Sequence, residues 1–218
     1  MNKTFFITGI DTNCGKTYVT GQIAKYLLEQ GKKVITQKLI QTGCSDIAED
    51  IEEHRRIMGI DLLPEDLDKT TCSQVLSYPC SPHLAAQIDE TEIDLTQIST
   101  NTEKLKKTHE IVLIEGAGGL HVPIKKGYHI LHYIKEHNFR VILVSSSKLG
   151  SINHTLLSID ACKQNNIEIA ALVYNQFPED DELIAEDSAK IIEEYYKSAY
   201  AEGCFVIGNG ISSISELF

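Results

Sequence analysis

The sequence predicts an α/β fold: one three-layer domain over residues 1–218, with a mostly parallel sheet covered by helices on both faces. Three observations carry this. Short apolar runs without polar alternation recur along the chain, as in strands covered on both sides. Helical stretches separate them in steady succession. The first apolar run ends in a glycine-bounded loop, Gly9-Ile10-Asp11-Thr12-Asn13-Cys14-Gly15-Lys16-Thr17, which opens directly into a helix.

In chain order, strands are expected at residues 4–8, 34–38, 111–115, 141–145, 169–175 and, more weakly, 204–207. Helices are expected at 16–29, 46–58, 95–107, 130–137, 152–165 and 181–196. Residues 60–94 hold Pro64, Pro79 and Pro82 and no long periodic segment. They read as a connection with short elements at the ligand-binding edge, not as a second domain. No repeat, low-complexity tract or flexible linker interrupts the pattern.

Composition narrows the function classes. An apolar content of 42% suffices for a buried core. A net charge of −11 argues against a general nucleic-acid or anionic-membrane surface, where Lys and Arg would dominate. The six cysteines form no C-x-x-C pair and read as reduced thiols. Met1-Asn2-Lys3-Thr4 leads straight into a strand, so no signal peptide is expected, and no apolar run is long enough to span a bilayer. Together these predict a cytoplasmic protein.

In an open parallel sheet, ligands bind where strands end and helices begin. The opening loop resembles a phosphate-binding loop with one extra residue: five lie between Gly9 and Gly15 where the usual form has four. Its backbone N–H groups and the helix dipole suit an anion. Asp11, Thr12, Asn13, Cys14, Gly15, Lys16, Thr17 and Tyr18 are expected to surround a nucleotide. Lys16 would reach the outer phosphates and the Thr17 hydroxyl would face Mg²⁺. Cys14 needs no role beyond a small side chain. Lys38, at the next strand end, is either a solvated lysine or a second cation for the phosphoryl group; Thr42 follows as a hydroxyl donor. The acidic stretch 46–53 is mostly helix surface, with one carboxylate available for a metal. The run "IVLIEGAGGLHVP" brings Glu115 to a strand tip opposite the loop. Its glycines either allow close approach to an anion or form a plain tight turn. Ser145-Ser146-Ser147 lack a G-x-S-x-G elbow and read as a polar loop. Asn175 ends the fifth strand, suited to a base edge or to a helix cap. His129, His132 and His137 fit no zinc spacing and read as surface residues.

These motifs together resemble dethiobiotin synthetase. The match takes in Gly9–Thr17 with the family's own five-residue gap and the segment from Lys38 to Gly43. It continues through Ser81-Pro82-His83, Glu115-Gly116-Ala117-Gly118-Gly119, Lys148-Leu149-Gly150-Ser151-Ile152-Asn153-His154 and Asn175, covering residues 3 to about 177. The resemblance implies an ATP-dependent ligase of biotin synthesis. CO2 (or bicarbonate) gives a carbamate on diaminopelargonic acid, the carbamate attacks the γ-phosphate of ATP, and the second amine closes the ring and releases phosphate. It implies Lys16, Lys38 and Thr12 as catalytic groups and Thr17, Glu115 and a third acid as Mg²⁺ ligands. Spacing to Arg56 favours Asp50 as that acid, with Asp46 the rival. Gly116 and Asn175 would join the nucleotide site, and Thr12, Lys38, Thr42 and Gly118 the substrate site. Leu149, Gly150 and Asn153 would reach substrate across a homodimer interface. One departure stands out: the stretch Ile207-Gly208-Asn209-Gly210-Ile211-Ser212 lacks the proline of the family's Gly-x-x-Pro base clamp, which predicts looser discrimination among nucleoside triphosphates.

Two other classes share parts of this pattern. Amide-forming ligases of the cobyrinate class usually carry a glutaminase domain, for which this length leaves no room. A switch ATPase of the partitioning or targeting type usually has a lysine early in the loop, where this chain has Gly9-Ile10-Asp11-Thr12.

Overall fold

The computed structural model describes residues 3–176, 181–201, 203–208 and 210–218. The chain begins with β1 (Lys3–Gly9), α1 (Lys16–Glu29), β2 (Val34–Lys38), β3 (Gln41–Thr42) and α2 (Glu49–Met58). The proline-rich connection folds into α3 (Pro64–Leu67), β4 (Val75–Leu76) and α4 (Pro82–Ile88). Next come α5 (Leu95–Thr108), β5 (Ile111–Gly119), β6 (Pro123–Lys125), β7 (Tyr128–His129), α6 (Ile130–Glu136) and β8 (Arg140–Ser146). The last part holds α7 (Ser151–Gln164), β9 (Ile169–Asn175), α8 (Glu182–Ala199), β10 (Cys204–Ile207) and a 3-10 turn at Ile211–Leu217.

Six strands form one sheet in the order β10-β9-β8-β1-β5-β2, with every pairing parallel. The strands are apolar throughout because both faces are buried. Phe6, Val112 and Ile114 feed the core on one face, and Phe5, Ile7 and Leu113 the core on the other. The expected class, a P-loop α/β sheet with helices on both faces, is what the chain adopts. Among the described residues no helix is long and apolar enough to cross a membrane. All six cysteines are free thiols.

Three departures shape the site. The helix expected from residue 46 starts at Glu49, after Ala48 in an extended conformation. Glu49, Asp50 and Glu52 then meet the positive end of its dipole, and Arg55 and Arg56 the negative end. The strand expected to stop at 115 runs on to Gly119, which pairs with Gly9, so Gly116–Gly119 is not a plain tight turn. Residues 60–94 carry more structure than expected, including a two-residue parallel ladder in which Gln41 and Thr42 pair with Val75 and Leu76.

Helix α2 packs closely on α1. A Cβ on Gly21 would lie 2.7 Å from Ile57 Cδ1, so only glycine permits this approach. The approach carries Asp50 to the start of α1.

Candidate active site

The loop after β1 curls back on itself. Gly15 sits at φ 96°, and a Cβ there would fall 2.1 Å from Asn175 Nδ2. Only glycine combines that backbone with that proximity. Lys16 Nζ donates to the Asp11 carbonyl at 2.9 Å. Asn175 Nδ2, from the end of β9, donates to the Cys14 carbonyl at 3.1 Å, and Lys148 Nζ donates to the Asn13 carbonyl at 3.1 Å. The loop is thus held from both sides, and α1 starts directly behind it.

Strand order assembles the charged centre. β5 lies between β1 and β2, and Lys38 is the register partner of Glu115. Parallel register partners project to the same face, so ammonium and carboxylate meet: Lys38 Nζ lies 2.8 Å from Glu115 Oε1. It also pairs with Asp50 Oδ2 and donates to the Gly116 carbonyl at 3.2 Å. The Thr17 hydroxyl lies 3.1 Å from Asp50 Oδ1 and 3.0 Å from Glu115 Oε1, with one hydrogen to share between them. Burial alone would lower the Lys38 pKa, but the Glu115 and Asp50 charges outweigh it and hold the ammonium above the ordinary lysine range. Burial alone would raise Glu115; the Lys38 charge and the His54 contact outweigh it and keep the carboxyl well below the usual carboxylate range.

This donor set fits a small hard cation. Two carboxylates and a hydroxyl converge beside a phosphate loop, and Mg²⁺ is commonly held by one or two carboxylates with phosphate oxygens and water completing its shell. Among the described residues no group of three His, Cys, Asp or Glu side chains could hold a metal alone. Asp46, the rival acid, has a side chain that is 86% exposed and lies 3.6 Å from Lys69.

Behind Glu115 lies a buried polar chain that the sequence did not reveal. His54 Nε2 is 2.7 Å from Glu115 Oε2, and His54 Nδ1 is 3.1 Å from Thr36 Oγ1. Arg55 Nη1 donates to the same Thr36 oxygen at 2.8 Å. Arg55 also holds Asp66 through Nε and Nη2, both at 2.8 Å. One signal was available: residues 50 and 54 are four apart on α2 and therefore share a face.

The centre opens into a cleft of about 1450 Å³. Of the expected residues, Thr12, Asn13, Gly15, Lys16, Thr17 and Tyr18 line it on the loop side. Lys38, Thr42, Asp50, Glu115, Gly118 and Asn175 line the rest. A Cβ on Gly118 would sit 3.8 Å from Thr12 Oγ1, so these two are neighbours. Cys14 is buried within the loop, and Gly116, packed on Phe6, accepts from Lys38 through its carbonyl. Asp11 borders a second, smaller depression with His154 and Leu157. Leu149, Gly150 and Asn153 are exposed and border neither. Unanticipated lining residues include Gln41, Glu53, Ala117 and Val122. Gly208 and Gln176 line the cleft near Asn175; Asn209 of the proline-free stretch lies outside the described residues.

A glycine-bounded loop ending the central strand of a parallel sheet, with a Lys-Thr pair opening the next helix and acids at the neighbouring strand tip, defines a P-loop nucleotide-binding protein. A family model described as an AAA domain matches residues 3–203. A relative from Pasteurella multocida (strain Pm70), ATP-dependent dethiobiotin synthetase BioD 2, is 47% identical over 212 residues, 97% of this chain and 100% of that one. The Haemophilus influenzae (strain ATCC 51907 / DSM 11121 / KW20 / Rd) protein of the same name is 52% identical over 84% of this chain and 96% of its own. The Chlorobaculum tepidum (strain ATCC 49652 / DSM 12025 / NBRC 103806 / TLS) dethiobiotin synthetase BioD is 48% identical over 85% and 78%. The chain belongs to the ATP-dependent dethiobiotin synthetase family.

Proposed function

We propose that residues 1–218 form one cytoplasmic synthetase unit that closes the cyclic urea of dethiobiotin from diaminopelargonic acid, CO2 and ATP, forming C–N bonds and releasing ADP and phosphate. The observation that carries this is the convergence of Lys38, Asp50, Glu115 and Thr17 beside the phosphate loop in one cleft.

The chemical demand is electrostatic. A carbamate oxygen attacks the γ-phosphorus, so one anion approaches another, and positive charge must stand where the oxygens meet. Lys16 and Lys38 bring it from the two sides of the loop. Mg²⁺, with Thr17, Asp50 and Glu115 as its protein ligands, would add charge on the phosphoryl oxygens. Thr12, Thr42 and the Gly118 backbone hold the diamine end, where the second amine attacks the carbonyl carbon of the mixed carbamic–phosphoric anhydride and phosphate departs. Gly116 joins the nucleotide site beside Lys38, which its carbonyl holds, and Asn175 with the loop edges the base. Leu149, 92% exposed, and the exposed Gly150 and Asn153 serve the partner's cleft in a homodimer.

Phosphate release is expected to depend on both diaminopelargonic acid and bicarbonate. Fast release from ATP alone would point instead to a switch ATPase. With the proline of the base clamp missing, turnover with ATP, GTP and CTP is expected to differ by less than about tenfold, equivalent to about 1.4 kcal/mol. A larger preference for ATP in steady-state assays would mean that Asn175, Gln176 and Gly208 already make a full clamp.

A further inference from the structure

We propose that His54 is a positioning residue for Glu115: a buried chain of donors of fixed direction, from Arg55 through Thr36, puts the imidazole hydrogen on Nε2, where it holds Glu115 Oε2 and leaves Oε1 turned to Thr17 and Lys38. This rests on the reading of Glu115 as a metal ligand.

The direction follows from donor chemistry. Arg55 can only donate, and its place is fixed by the two bonds to Asp66. Its Nη1–H therefore occupies one lone pair of Thr36 Oγ1. Thr36 and His54 are both fully buried, so no bulk water competes for the threonine hydrogen. Among the described residues, the acceptor that meets that hydrogen is His54 Nδ1 at 3.1 Å. With Nδ1 accepting, the ring hydrogen sits on Nε2 and points at Glu115 Oε2 at 2.7 Å. The opposite tautomer would set a bare nitrogen lone pair against a carboxylate oxygen and strand the threonine hydrogen.

The result is division of labour within one carboxylate. Oε2 is tied inward by His54, and Oε1 faces Lys38 at 2.8 Å and Thr17 at 3.0 Å. A carboxylate free to rotate would present its charge to the cleft only part of the time. Partners behind a metal ligand that fix its orientation commonly change metal affinity by 10–100-fold when lost. The placement also explains why the histidine lies on α2: Asp50 is one turn earlier on the same helix, so a single element delivers one acid to the cleft and orients the other.

The test uses the full chain, Mn²⁺ as the metal probe and a non-hydrolysable ATP analogue. Free Mn²⁺ is measured by electron paramagnetic resonance, and analogue binding is measured separately in EDTA. His54→Leu keeps most of the volume and removes both hydrogen bonds. It is expected to weaken Mn²⁺ binding by at least about tenfold, with metal-free analogue binding changed less than about twofold. His54→Gln keeps an N–H donor near the Nε2 position and is expected to recover most of the loss. Equal Mn²⁺ affinity in His54→Leu and the unaltered protein would overturn the proposal, as would an equal loss in metal-free nucleotide binding or no recovery in His54→Gln. Nitrogen-15 spectra of the unaltered protein give an independent reading that no folding defect can obscure: hydrogen on Nε2 with a bare Nδ1 is expected, and hydrogen on Nδ1 would overturn it. Glu115→Gln separates the two readings. If it binds Mn²⁺ as well as the unaltered protein, the metal assignment itself fails; if it binds weakly while His54→Leu does not, only the positioning role fails.

Discussion

Lys38→Ala is expected to lower turnover by roughly 10²–10³-fold, the usual cost of removing one pre-placed donor from developing charge, while ATP affinity changes by only a few-fold. The asymmetry follows from where the ammonium sits. It is 5% exposed and bound among Asp50, Glu115 and the Gly116 carbonyl, beside the loop but outside its ring of backbone N–H groups. In the proposed reaction its charge matters most when a second anion arrives at the γ-phosphorus, so its loss should register in kcat and not in nucleotide binding. A second consequence is structural. Without the ammonium, Glu115 stays buried beside Asp50 and both lose their shared counter-charge, so Glu115 should take up a proton at higher pH than in the unaltered protein. Steady-state kinetics with varied ATP, beside direct nucleotide titration, checks the first part. Loss of nucleotide affinity with turnover preserved would show that Lys38 is a binding residue and nothing more.

Asp66→Ala is expected to cost about 3–5 kcal/mol of stability, because it strands a buried guanidinium. Arg55 is 2% exposed and donates twice to Asp66. The same carboxylate also accepts from the Leu63 N–H and the Thr71 hydroxyl, both at 2.8 Å. For a chain of this size each kcal/mol moves the thermal midpoint by about 2–4 °C, so a fall of roughly 6–20 °C should appear in a thermal melt. Replacing both partners by apolar residues of similar volume should recover much of it, since removing a buried pair whole avoids the stranded charge. Acid behaviour follows with a definite sign. Burial alone would raise the Asp66 carboxyl, but Arg55, Leu63 and Thr71 outweigh it and hold it low. Its contribution is therefore present above the unfolded aspartate pKa and is lost as pH falls through the lower, folded value. The acid limb of stability should be flatter in Asp66→Ala; an unchanged limb with an unchanged midpoint would remove this pair from the list of structural supports.

The parts legible in the sequence were those encoded locally. Runs such as Ile111–Ile114 read as strands because both sheet faces bury them, and the loop read as a phosphate site because glycines, Lys16 and Thr17 lie together. What stayed hidden depends on strand order and helix packing. Nothing near Lys38 says that its strand will lie beside β5 and pair it with Glu115, 77 residues away. The surroundings of Asp46 and Asp50 depend on where α2 begins: Ala48 is extended, so Asp46 falls in the preceding turn and reaches solvent, while Asp50 enters the first helical turn over Thr17. For Gly116–Gly119 the sequence allows either close approach to an anion or a plain tight turn, since glycines serve both; the close packing of Gly116 on Phe6 and the pairing of Gly119 with Gly9 keep the segment in the sheet. His54 was passed over with the other histidines because its two partners come from distant strands.

The most direct test is a structure with diaminopelargonic acid, Mg²⁺ and a non-hydrolysable ATP analogue bound together. Lys16 and Lys38 are expected within about 3 Å of terminal phosphoryl oxygens, the metal on Thr17, Asp50 and Glu115, and the diamine beside Thr12, Thr42 and Gly118. A triphosphate tail beyond the reach of Lys38, or a metal bound without Glu115, would contradict it.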